Sequence, residues 1–130
     1  MKRFIIISIV LAVVLSLGVV ESLYCTRLFD DLEMRLLEIE SSLDEDKENI
    51  SNDRNVQKIN DLIKTWDVSH DVTITFTNHA IMRSLEEKLY ALKSSIETNE
   101  YVNAKEYVTL ARALSRDLID ETYITLGNLF

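Results

Sequence analysis

Residues 28–44 read LFDDLEMRLLEIESSLD, and within them Leu28, Leu32, Leu36, Ile39 and Leu43 recur at steps of 4, 4, 3 and 4. That spacing lines one face of an α-helix, because 3.6 residues per turn bring positions i, i+4 and i+7 together. Residues 81–97, IMRSLEEKLYALKSSIE, repeat the same steps through Ile81, Leu85, Leu89, Leu92 and Ile96, each the first set displaced by 53 positions. The displacement keeps Leu32/Leu85, Glu33/Glu86, Leu36/Leu89, Ser41/Ser94 and Ser42/Ser95 identical. Any two amphipathic helices share leucine spacing, so the weight falls on the segment after each helix. In both cases a polar turn (DEDKENISND from Asp44, ETNEYVN from Glu97) leads into a second apolar stripe. The stripes are Val56, Ile59, Leu62, Trp66 and Val108, Ala111, Leu114, Leu118. The pattern reads as a decayed duplication of an αα-hairpin. It predicts an all-α fold, an antiparallel helical bundle of two tandem αα-hairpins, with helices over about 22–48, 53–67, 78–98 and 102–125. Two hairpins are too few for a solenoid, which favours closure into a bundle.

Composition agrees. The chain has no proline, and its two glycines stand at 18 and 127. Such a shortage of breakers, with abundant Leu, Glu, Lys and Ala, argues for helices joined by short polar turns. The exception is Val68 to Asn78, where Val72, Ile74 and Phe76 alternate with Thr73, Thr75 and Thr77 as in a β-strand. No other segment could pair with it, so an apolar connector or an early start to the third helix is expected. At the far end, Gly127 follows a helical stretch that ends near Ile124, in the place of a left-handed C′ residue. Leu129 and Phe130 would then fold back on the bundle, or be presented to a partner.

Ahead of the hairpins, Met1-Lys2-Arg3 precedes FIIISIVLAVVLSLGVV, Phe4 to Val20, seventeen residues without a charge. As a helix this reaches about 26 Å, near the lower limit for crossing the hydrocarbon. It exceeds the apolar core of a secretory signal and lacks an A-x-A cleavage site, so an uncleaved anchor over 1–24 is preferred to a cleaved signal. A lipid-modified Cys25 is the weakest alternative, since bulky Tyr24 precedes it. Tyr24 itself suits the headgroup level. Lys2 and Arg3 set the orientation: N-terminus cytoplasmic, residues 25–130 an extracytoplasmic domain.

Beyond Arg3 the chain holds 12 basic against 22 acidic residues. Phosphate binding needs clustered Lys and Arg, so no nucleic-acid partner is expected, and anionic headgroups are disfavoured for the same reason. The acidity instead keeps the domain soluble. The length suffices for one modest core, and a single cysteine cannot close an internal disulfide.

Candidate chemistry is sparse. Asp67, His70, Asp71 and His79 form the one conceivable metal or acid/base cluster, but a nine-residue gap between histidines is not a zinc-helix spacing. A surface turn histidine and a histidine packed between helices is the plainer account. Cys25 has only Arg27 nearby and no histidine base within forty positions, so it reads as an inert thiol where the chain leaves the bilayer, or as a site of intermolecular disulfide. The carboxylates at 30, 31, 33, 38 and 40 read as a solvated helix face rather than a glycosidase pair. No phosphate loop, nucleophile elbow or zinc-helix motif occurs. Asn49-Ile50-Ser51 is a glycosylation sequon with meaning only in a eukaryotic secretory pathway. Trp66 closes its stripe as a core anchor, with ligand stacking as the alternative.

The order of features resembles domain-of-unknown-function family 4363, short N-terminally anchored proteins of spore-forming Gram-positive bacteria. The resemblance covers nearly the whole chain and is carried by Trp66, His79, Leu85 and Gly127-Asn128-Leu129-Phe130, while the Thr-rich stretch before His79 departs from it. It implies no activity. Members are similar to proteins often encoded beside multi-pass membrane proteins, which implies an accessory role. The expectation is therefore a non-catalytic interaction protein without cofactor or metal, serving another membrane or envelope protein. Its candidate interaction residues are Trp66, Phe76, His79, Leu129 and Phe130. The alternative is a peptide- or ligand-binding module with a groove near Trp66 and Phe76.

Overall fold

The computed structural model describes the backbone of residues 1–73 and 78–129, and their side chains except those of 71–73, 125, 126 and 129. The described residues form four helices with short connections: α1 (Lys2–Glu45), α2 (Asp53–Thr73), α3 (His79–Glu97) and α4 (Tyr101–Leu129). α1 packs on α2 and α4, and α3 packs on the same two. All four feed one core, in which Phe29, Leu36, Leu43, Ile59, Leu85, Leu89, Leu92, Ile96, Val108, Ala111 and Leu118 have no exposed surface. The two stripes displaced by 53 thus occupy matching environments, since 32/85, 36/89, 39/92 and 43/96 are all buried. Leu28 and Ile81 are both half-buried at the edge. Burying one such side chain contributes about 1.5–3 kcal/mol.

The apolar N-terminal run and the first bundle helix are one element. α1 spans 44 residues without a break, about 66 Å at ~1.5 Å per residue. Its apolar start is long enough to cross a membrane, and the side chains from Phe4 to Leu17 are all exposed. Continuous burial begins at Cys25 and Thr26.

Several boundaries differ from the sequence reading. α2 runs on through Val72 and Thr73, so β-branched residues that locally favour a strand are helical. Their helix propensity penalty is a few tenths of a kcal/mol each, and packing of α2 overrides it. Ile74 to Thr77 lie outside the described residues. α4 continues past Ile124 to Leu129, so Gly127 is helical and has no positive φ. A helical glycine costs only about 1 kcal/mol, too little to end a helix of 29 residues. The left-handed residue is Asn99, φ 58°, after α3. There Asn99 N–H donates to Ile96 O at 3.1 Å and Glu100 N–H to Ser95 O at 2.8 Å, a Schellman arrangement closing α3. At the other end of α3, the Asn78 carboxamide oxygen accepts from Ala80 N–H and Ile81 N–H at 3.0 and 3.3 Å.

Candidate functional site

Trp66 is set by the α2 stripe that also buries Ile59, Leu62 and Ile63. It is 2% exposed, and its indole N–H meets no acceptor among the described residues. The cavity beside it, lined in part by Leu28, Leu32, Arg35 and Thr65, holds about 10 Å³, room for a single water at most. The His70 ring lies one turn on, 5.9 Å from the Trp66 ring and tilted by 58°. His70 is therefore the half-buried histidine, in a helix rather than a turn. His79 is the exposed one, at the first position of α3. Neither lies in a turn, because α2 extends beyond His70 and α3 starts at His79. No group of three metal-capable side chains occurs among the described residues. Phe76 and Phe130 lie outside the described residues, and Leu129 is described only as the last helical position of α4.

Cys25 is 3% exposed and belongs to the core, on the stripe that continues through Phe29 and Leu32. A cysteine so placed behaves as a small hydrophobe, not as an interfacial thiol open to pairing with another chain.

The larger correction concerns the carboxylates. Asp30, Asp31 and Glu38 are exposed, as expected of a solvated face. Glu33 and Glu40 are not: their side chains keep 22% and 19% exposure and face α4. Arg116 and Arg112 reach Glu33, Arg112 and Lys105 reach Glu40, and Lys105 also meets Asp44 at 3.0 Å. The Tyr101 hydroxyl donates to Asp44 at 2.6 Å. The result is an interleaved seam of α1 acids and α4 bases along about three turns. Its signal in the sequence is two stripes of opposite charge at helical spacing, 33, 40, 44 and 105, 112, 116.

The seam fixes protonation. Burial pushes the Glu40 carboxyl up, but hydrogen bonds and charge from Lys105 and Arg112 outweigh it and hold it below the usual glutamate range. Asp44 is lowered by the hydrogen bond from Tyr101 first and Lys105 second. Burial draws Lys105 down, and its bonds to Asp44 and Glu40 more than restore it. Carboxyls in this state are anions at neutral pH, whereas a general acid needs a raised pKa. The arrangement clamps two helices together.

Comparison with protein-family models, with curated proteins and with solved structures found no match to the chain.

Proposed function

We propose that the chain is a non-catalytic, membrane-anchored accessory protein, an antiparallel bundle of two tandem αα-hairpins standing outside the membrane on its own spanning helix. The observation that carries this reading is the unbroken course of α1 from Lys2 to Glu45. A domain tethered by a flexible linker samples many orientations. A bundle whose core helix is also its anchor holds one height and a narrow range of tilts, as suits support of a neighbouring membrane protein. Lys2 and Arg3 favour the cytoplasmic side for the N-terminus. Kinship with family 4363 belongs to the same proposal and rests on Trp66, His79, Leu85 and the Gly127–Phe130 motif.

On α1, Met34 and Leu37 are 66% and 50% exposed, less than a turn apart, and are the apolar side chains best placed to meet a partner. Photo-crosslinkable residues at 34 and 37, with Asn103 as a remote exposed control, test the reading in native membranes. A discrete adduct with a membrane or envelope protein from 34 or 37, absent from 103, supports it. Absence of any adduct at either position counts against it. The groove reading is less favoured, because Trp66 is buried beside a cavity too small for a ligand.

A further inference from the structure

Contacts between α1 and α4 run antiparallel, from Tyr101 with Asp44, through Lys105 with Glu40, to Arg116 with Glu33. Each step toward the end of α4 is a step back toward the apolar run of α1. With ~1.5 Å per residue in both helices, Ile124 comes level with about Cys25 and Asn128 with about Glu21. α4 keeps its helix through this stretch, to Leu129. The burial of α1 agrees: Val19 and Ser22 are half-covered on the face that leads to Cys25, whereas residues up to Leu17 are exposed.

Tyr123 and Ile124, 57% and 63% exposed, therefore stand within about one helical turn of Leu23 and Tyr24, 52% and 45% exposed. Beyond Glu121 the sequence TYITLGNLF carries no charged side chain, in a chain that is otherwise strongly acidic. Glu121 itself accepts a hydrogen bond from the Asn78 carboxamide. Two tyrosines with apolar neighbours at the end of a spanning helix have the composition of an interfacial belt.

We propose that the last two turns of α4 lie in the headgroup layer as a second lipid contact beside α1. Tyr123 and Ile124 then form one interfacial band with Leu23 and Tyr24. The proposal rests on α1 spanning the membrane. Two helices meeting the surface fix the rotation of the bundle about the α1 axis, which one helix alone leaves open.

Full-length protein in phosphatidylcholine/phosphatidylglycerol vesicles tests this with an environment-sensitive fluorophore on single introduced cysteines. The sites are Ile124→Cys and Tyr123→Cys, with Val14→Cys in the span and Asn103→Cys at the far pole. Cys25 is left in place and the parent protein supplies its labelling baseline. The expected result is blue-shifted emission at 124 and 123, quenched by lipids spin-labelled near the headgroup. Position 14 should be quenched by deeper spin labels and 103 by neither. If 124 and 123 behave like 103 while 14 is quenched, the span stands and the second contact is wrong. Blue-shifted emission that lipid spin labels leave untouched would mean a protein surface covers the patch, which also overturns it. An unquenched label at 14 would remove the anchor itself, and this proposal with it.

Discussion

Asn99 and Ile50, 49 positions apart, are joined at the pole farthest from the apolar run: Ile50 N–H donates to the Asn99 carboxamide oxygen at 2.8 Å. The same carboxamide donates to the Glu48 carbonyl at 3.3 Å. One side chain thus ties the α1–α2 turn to the α3–α4 turn, and its own backbone is the left-handed residue that ends α3. Ile50 beneath it has no exposed surface.

Asn99→Ala removes the clasp and leaves alanine at a positive φ that Asn tolerates better, because its short polar side chain bonds locally. The expected loss is about 2 kcal/mol, from ~1 for the hydrogen bonds and ~1 for the left-handed backbone. Asn99→Gly keeps the backbone easy and should lose only about 1 kcal/mol. Thermal unfolding of the full chain in detergent, followed by circular dichroism, separates the two. Equal losses would mean the left-handed conformation contributes nothing.

Leu36 and Leu89 are equivalent under the displacement of 53 and both have no exposed surface. Leu36→Ala and Leu89→Ala should each cost about 2–5 kcal/mol. Glu33 and Glu86 share the same displacement but part company. Glu33→Ala strips Arg116 and weakens the hold on Arg112, whose Nε already lacks an acceptor among the described residues. It should therefore cost more than Glu86→Ala, expected near ~0.5 kcal/mol. Denaturant unfolding of the four variants decides. Equal costs for the two glutamates would show that the seam adds nothing.

The contrast between those pairs marks how far the sequence can be read. Periodicity identifies Leu36 and Leu89, because burying an apolar stripe is a property of each helix alone. Whether Glu33 faces water or Arg116 depends on which neighbour lies against that flank, and no single helix carries that information. Asn99 has a local signal, since Asn is the commonest left-handed residue after glycine, but Gly127 draws the same rule to the wrong place. Val72 and Thr73 mislead because local β-preference is weaker than the packing of a helix already under way. Of the candidate interaction residues, Trp66 is legible as a core anchor, and the start of α3 at His79 lies within one residue of the expected 78, whereas the exposure of His79 depends on which neighbours pack against that end of the helix.

The seam predicts a defined acid response. Glu40 and Asp44 have folded-state pKa values below the ordinary ones. Their stabilisation is therefore complete above the unfolded-chain values of about 4 and is lost as pH falls through the lower folded values. Melting temperature should hold from neutrality to about pH 5 and drop below pH 4. Glu40→Gln should melt lower at pH 7 and show a shallower acid limb. Parallel acid limbs in parent and variant would contradict this assignment.

Topology can be read with thiols, using burial as the control. Cys25 is 3% exposed, so a membrane-impermeant maleimide should leave the parent chain unlabelled in intact cells and label it only on unfolding. Asn103→Cys, on an exposed position of α4, should label in intact cells if the bundle is outside. Labelling of 103 only after lysis would invert the orientation that Lys2 and Arg3 favour.

Trp66 is the one tryptophan in the chain, so its fluorescence reports a single site. It is 2% exposed, its ring lies against His70, and its indole N–H meets no acceptor among the described residues. A closed bundle predicts blue-shifted emission, with little quenching by iodide or acrylamide until the helices melt. A ligand groove predicts the opposite, since a ring available for stacking is also available to a collisional quencher. Trp66→Phe sharpens the choice. It removes a buried N–H without a partner among the described residues but also leaves a smaller ring, two effects of opposite sign, so its stability should change by no more than about 1–2 kcal/mol. Strong quenching of native Trp66 in the folded protein would move the reading from support protein to binding module.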